Sequence, residues 1–435
     1  MQYTLQGMVD FLKRSTSAFH AVDGICAELK KAGYTELPEC ARWDVQPGGK
    51  YFTTRNLSAV IAFQVPQRGF APIQVVASHS DSPTFRVKEH SELEVAGKYV
   101  QLNTERYGGM IMSTWTDRPL SVAGRVLVRT EKGLETRLVS IDKDMLLIPN
   151  LCIHFGRDVN DGKTYNAQKD MVPLYGDISA KGSFDRVIAE AAGVSPEQVA
   201  GSDIYLYNRM EPSIWGADDC YISAGRLDDL ECAYTSLCAF LSAEAGSHIN
   251  MYCVFDNEEV GSGTRQGADS TMFADVIERV ASSLHADADA MRAALASSFM
   301  VSADNGHALH PNQPEKSDVV NRPYMNEGVV VKFSANQKYT SDGVSKAIFS
   351  EICRRAGVPV QYLANRSDVV GGSTLGNISG KHVSIHAVDI GLAQLAMHSS
   401  YETAGTRDAE YMARSLTAFY NTEIQMTADG MYELK

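Results

Sequence analysis

The 435 residues carry 40 Lys and Arg against 53 Asp and Glu, a formal charge of −13, and this acidic balance excludes the basic surface that nucleic acid or an anionic membrane requires. Hydrophobic residues at 44% and charged residues at 21% exclude disordered and fibrous classes. The length predicts two or three domains and a core large enough to do without metal or disulfide staples.

No apolar run reaches the ~18 residues of a membrane span, and the start, Met1-Gln2-Tyr3-Thr4-Leu5, lacks the basic and apolar regions of a signal peptide. A cytoplasmic protein is expected. The eight cysteines, Cys26, Cys40, Cys152, Cys220, Cys232, Cys238, Cys253 and Cys353, form no C-x-x-C pair. They are expected to be small buried hydrophobes in a reducing compartment, not zinc ligands.

In chain order, two amphipathic helices are predicted within 1–32, with Gly33 closing the second. Apolar strands follow at 59–63 and 73–77, the latter continuous enough to be covered on both faces. From about 94 to 216 the sequence turns strand-rich and turn-rich, with one helix at 184–192. Helix and apolar strand then alternate: helix 227–243, strand 251–255, helix 270–284, strands 299–302 and 329–331, a helix through 347–348, a strand at 383–385 and a last helix at 407–420. The pattern predicts an α/β fold: a mixed sheet flanked by helices, built from 1–93 and 225–435, interrupted by a β-rich insert at 94–224.

Chemistry-bearing residues gather where these strands end, which is where open α/β sheets place ligands. Strand 73–77 runs into Ser78-His79-Ser80-Asp81-Ser82-Pro83, strand 251–255 into Asp256-Asn257-Glu258-Glu259, and strand 299–302 into Ala303-Asp304-Asn305-Gly306-His307. Asp228-Asp229 opens a helix, and His398 follows the apolar stretch 392–397. His, Asp and Glu without Cys suit a divalent ion such as Zn²⁺, Mn²⁺ or Co²⁺. In the tandem Glu258-Glu259 one carboxylate can bind metal while its neighbour handles a proton, the requirement of metal-assisted hydrolysis. Each element alone has an ordinary alternative: a helix cap, a solvated pair, a turn residue. The residues by themselves predict a metal-dependent hydrolase and no more.

The segments 77–83, 226–228, 256–262, 302–304 with His307 and 310–312, Gly371-Gly372-Ser373-Thr374-Leu375-Gly376, and Ala396-Met397-His398-Ser399 resemble, in content and order, the aspartyl aminopeptidase family of dinuclear zinc aminopeptidases. The resemblance implies a zinc-exopeptidase-like catalytic domain and two Zn²⁺ per subunit, with Co²⁺ or Mn²⁺ as alternatives. Asp228 would bridge the ions, with His79 and Asp304 completing one site and Glu259 and His398 the other. Glu258 would be the general base for a metal-activated water, and Asp81 would orient His79 through its second ring nitrogen. The insert would be a dimerisation domain, dimers assembling into a homododecamer that admits only peptides. His154, closing Ile148-Pro149-Asn150-Leu151-Cys152-Ile153-His154, would reach a neighbouring subunit's active site and stabilise the oxyanion.

The family name implies removal of N-terminal Asp or Glu, for which Lys332 is the candidate cation; a solvent-facing strand-end lysine is the plain alternative. Gly371, Gly372 and Ser373 are expected to line the substrate cleft, since glycine permits close approach and the run lacks the lysine of a phosphate-binding loop. The expected activity is therefore release of N-terminal residues from peptides with a free amine. The rivals are the same metal site used as a carboxypeptidase or amide deacylase, and a non-catalytic self-assembling scaffold.

Overall fold

The computed structural model describes residues 1–372 and 374–435. A nine-stranded sheet forms its centre, in the spatial order Thr35–Glu36, Lys50–Arg55, Ala59–Gln64, Ile249–Phe255, Ile73–His79, Phe299–Ala303, His386–Gly391, Val329–Phe333 and Val360–Ala364. It is mixed. Ile249–Phe255, Ile73–His79, Phe299–Ala303 and His386–Gly391 run parallel to their neighbours in that order, and antiparallel pairs flank them.

The continuous apolar runs have a direct cause. Successive side chains point to opposite faces of a strand, and both faces are covered here. Val60, Ala62, Val76, Tyr252, Val254 and Val301 join one core with helices Leu5–Arg14, Ala18–Lys31, Leu227–Ser242, Gly343–Arg355 and Asp408–Asn421. Ala59, Ile61, Phe63, Val75, Ala77, Met251, Cys253 and Met300 join the other, under helices Met272–Ser283 and Leu375–Ser379. Gly33 follows the second helix at φ +83, the left-handed closure its position predicts. Among the described residues no helix is long and apolar enough to cross a membrane.

A six-stranded antiparallel sheet, with strands between Thr84 and Asn208, has its own core of Phe85, Leu102, Trp115, Val122, Val126 and Leu206. The expected junction at 93/94 falls inside one of its strands, Thr84–Val95. The chain leaves the central sheet earlier, at Ser80–Pro83, because proline cannot continue a ladder and Thr84 already pairs with Tyr107. At the far end, Ser213–Trp215 and Tyr221–Ala224 belong to a separate five-stranded sheet in which Tyr221–Ala224 pairs with Glu402–Gly405.

Other departures are local. The strand expected at 383–385 is His386–Gly391, displaced toward the residues whose partner is Phe299–Ala303. Helix Ala288–Ala296, strand Val360–Ala364 and the hairpin Ile424–Ala428 with Met431–Leu434 lack the apolar periodicity that would announce them, as they lie at the margins of the core. All eight cysteines are free; Cys232, Cys238, Cys253 and Cys353 are buried as expected, whereas Cys26 and Cys220 are half-buried and Cys40 and Cys152, at surface turns, are exposed.

Candidate metal centre

Three parallel strands deliver the first donors to one edge of the sheet. Phe255 is in register with His79, and Ser302 with Ala77, so the residues just after them, Glu258, Glu259 and Asp304, emerge beside His79. The imidazole of His79 is 1% exposed. Its Nδ1 lies 3.0 Å from the Asp81 carbonyl and 3.4 Å from that residue's Oδ1. Donation by Nδ1–H to this carbonyl fixes the tautomer and leaves Nε2 as a lone-pair donor. Nε2 faces Asp228 Oδ1 at 3.5 Å and Asp304 Oδ1 at 3.8 Å.

Asp228 reaches this point because the first turn of helix Leu227–Ser242 is opened: Arg226 is left-handed at φ +63, and Asp228 and Asp229 depart from helical angles. The second oxygen of Asp228 lies 3.4 Å from His398 Nε2, which is also 3.3 Å from Glu259 Oε1. His398 bonds through Nδ1 to the Gly109 carbonyl, so it too offers Nε2. One carboxylate thus stands between two donor sets, His79 with Asp304 and Glu259 with His398. Both sets are compact enough to hold a metal ion, and Asp229 joins the first.

The donors fit a cation on a further observation. Asp228 Oδ1 and Glu259 Oε1 are buried without a hydrogen-bond partner, a costly state for carboxylate oxygens unless a charge or ion meets them. Burial pushes the Glu258 carboxyl up to about 7, with Asp304, Asp81 and Asp228 raising it further against the opposing His79. With no cation at Nε2, burial would lower His79 but Asp228, Asp304 and Asp81 hold it well above the ordinary imidazole range, so this nitrogen gives up a proton when a cation takes its place.

Asp81 does more than its spacing predicts. Its main chain orients His79, while its side chain accepts the N–H of Glu258 at 3.1 Å and of Glu259 at 3.2 Å, and the hydroxyl of Tyr107 at 2.6 Å. Lys332 is not the solvent-facing alternative: it is 1% exposed. Its Nζ donates to the Asn305 carbonyl at 3.2 Å and lies 3.4 Å from Asp304 Oδ2, and Asp304 raises it although burial opposes.

The remaining expected residues stand apart from the clustered donors. His154 is on an exposed turn with Leu151, Ile153 and Phe155, which are 55%, 49% and 82% exposed. Gly371 and Gly372 lie in the loop before helix Leu375–Ser379, and Ser373 lies outside the described residues. Sequence reasoning missed Asp229, whose Oδ2 accepts the His79 N–H at 3.1 Å, and also Tyr107, Gly109 and Glu402. Only Asp229, adjacent to Asp228, carried a signal; the others act across the fold.

Fold and donor set together define a metallohydrolase whose centre lies at the carboxyl edge of an α/β sheet. The chain belongs to the peptidase M18 family, aminopeptidase I zinc metalloproteases, which matches residues 11–420. It is 45% identical over 425 residues to the probable M18 family aminopeptidase 2 of Clostridium acetobutylicum, covering 95% of this chain and 98% of that one. Among solved structures it is similar to Chaetomium thermophilum mApe1, with a TM-score of 0.87, 32% identity and coverage of 96% and 97%. It is also similar to the S. cerevisiae mApe1 dodecamer, with a TM-score of 0.84, 26% identity and coverage of 96% for both chains. The resemblance read from the motifs is borne out, and the protein is a zinc metalloaminopeptidase.

Proposed function

We propose that the centre holds two zinc ions sharing Asp228, one between His79 and Asp304 and the other between Glu259 and His398. The observation that carries this reading is the Asp228 carboxylate, whose two oxygens face two different histidine and carboxylate sets. When bound, the ions supply Lewis acidity at the scissile carbonyl and make the attacking water more acidic. Glu258 takes the proton from that water as its oxygen adds to the carbonyl carbon. It returns the proton to the peptide nitrogen as the C–N bond breaks, so a free amino acid and a shortened peptide leave. Asp81 fixes Glu258 and Glu259 from behind through their main-chain N–H groups.

Restriction to the N-terminal peptide bond is the testable difference from a carboxypeptidase or amide deacylase. Peptides with a free amine and their N-acetylated counterparts, offered to the purified protein, should give release from the first only. Equal release from both refutes the exopeptidase reading at this centre.

Preference for an N-terminal Asp or Glu belongs to the same proposal, supported by Lys332, a buried cation beside Asp304. The insert is proposed as the dimerisation domain, on the strength of Leu151, Ile153 and Phe155, apolar side chains exposed on one turn. His154, exposed among them, would enter a neighbouring subunit's active site, where its N–H would meet the developing oxyanion. Assembly into a dodecamer and a cytoplasmic location belong to the same proposal, the first supported by similarity to the S. cerevisiae dodecamer. Phe155→Asp should split the assembly in light scattering and lower activity with it; a fully active monomer refutes the role of His154.

A further inference from the structure

Glu402 is 2% exposed and is the first residue of strand Glu402–Gly405. Its place is set by the sheet: it pairs with Ala224, the last residue of strand Tyr221–Ala224, and from there Gly225-Arg226-Leu227 leads directly into Asp228. On the other side the chain turns back through Ser399-Ser400-Tyr401 from His398. Glu402 therefore stands where the segment carrying the shared carboxylate and the segment carrying a histidine donor meet.

Both of its oxygens are used. Oε2 accepts the main-chain N–H of Asp228 at 3.0 Å, and Oε1 accepts that of His398 at 2.7 Å. These two N–H groups are 170 residues apart in sequence and belong to no common helix or ladder. His398 also needs holding, since its φ of +65 lies in the left-handed region that a residue with a Cβ disfavours. The ring of His398 is fixed separately, by the Gly109 carbonyl.

We propose that Glu402 is a positioning residue that sets the separation of Asp228 and His398, and so the affinity of the ion they hold with Glu259. This rests on the two-ion reading above. A carboxylate is suited to the task because each oxygen accepts independently and the two N–H groups converge on one charge. An amide of the same shape cannot do it: glutamine has one acceptor oxygen, and its NH₂ would confront the second N–H. Aspartate keeps the charge but is one methylene short. The other donor set, His79 with Asp304, is held by different groups, Asp229 for the His79 main chain and Lys332 for Asp304.

The test is a zinc titration of the chelator-stripped full-length protein against a chromophoric competitor, for wild type, Glu402→Gln, Glu402→Asp and Glu402→Ala. The visible spectrum of the cobalt-loaded forms and thermal unfolding of the stripped forms are recorded beside it. Removal of a group that orients metal ligands weakens binding by about 10- to 100-fold. That loss is expected in all three variants at the ion held by His398 and Glu259, with an altered cobalt spectrum, while the other ion, which shares Asp228 but not His398, loses less. The near-isosteric glutamine variant reports even where alanine destabilises the fold. Unchanged affinities and an unchanged cobalt spectrum in Glu402→Gln overturn the inference. So does an equal weakening of both ions that tracks a lowered unfolding temperature, because that is a general structural loss. Wild-type protein that takes up fewer than two zinc ions overturns the two-ion reading itself, and the inference with it.

Discussion

Replacement of Lys332 by methionine removes a buried charge and leaves its neighbours in place. The side chain is 1% exposed, so methionine fills a similar volume, but Asp304 loses the ammonium 3.4 Å away and the Asn305 carbonyl loses its donor. Breaking a buried ion pair by removing one partner costs about 3–5 kcal/mol. Unfolding entropy near 2.1 cal/mol/K per residue, about 0.9 kcal/mol/K over 435 residues, converts this to a fall in Tm of about 3–5 °C. That fall is expected in chelator-stripped protein. With zinc added the fall should be less than half as large, because a cation beside Asp304 again balances its charge. Calorimetry of wild type and Lys332→Met, each stripped and zinc-loaded, gives the four temperatures required. A shift that is absent, or equal with and without zinc, refutes the pairing of Lys332 with a metal-binding carboxylate. Release from Asp-, Glu- and Leu-anilides by the same variant tests the acidic preference: a larger loss on Asp and Glu supports it, and an equal loss on all three removes it.

Glu258→Gln should lower kcat by a factor on the order of 10² to 10⁴ with metal content and assembly unchanged; a near-wild-type rate contradicts its role as base. A Cβ built on Gly391 would lie 1.9 Å from the Asp304 carbonyl, so Gly391→Ala must displace that strand end. A stability cost of about 1–3 kcal/mol is expected, together with weaker zinc binding, and an unaltered zinc titration would contradict it. In the metal-free protein burial pushes Asp408 up to about 7 and Glu231 to about 8, against about 4 in an unfolded chain. Between those values the native state keeps protons the unfolded state has lost, so stability falls as pH rises from about 4.5 to 8. Tm measured across that range should decline, and Asp408→Asn should flatten the decline; a Tm that rises with pH refutes the assignment.

What the sequence made legible follows from which signals are local. His79, Glu258-Glu259 and Asp304 could be found because buried parallel strands announce themselves as apolar runs and the donors follow within four residues. The mixed α/β fold was legible for the same reason, through strands covered on both faces. Glu402, Tyr107 and Gly109 were not, because each acts on a residue more than about a hundred positions away or across a loop that only the fold closes. Lys332 could be placed on a strand, but its burial depends on Tyr339 and Asn305 closing over it. The strand Thr84–Val95 carried no sustained apolar alternation that would announce it ahead of residue 94.

In the proposed centre Asp228 is shared by two metal ions in one active subunit. Elemental analysis of the purified protein, before and after chelation, with release of free amino acid measured on the same samples, tests it most directly. Close to two zinc ions per chain are expected, with release lost as they are stripped and recovered on their return. One ion per chain at full activity, or release that survives complete stripping, would contradict it.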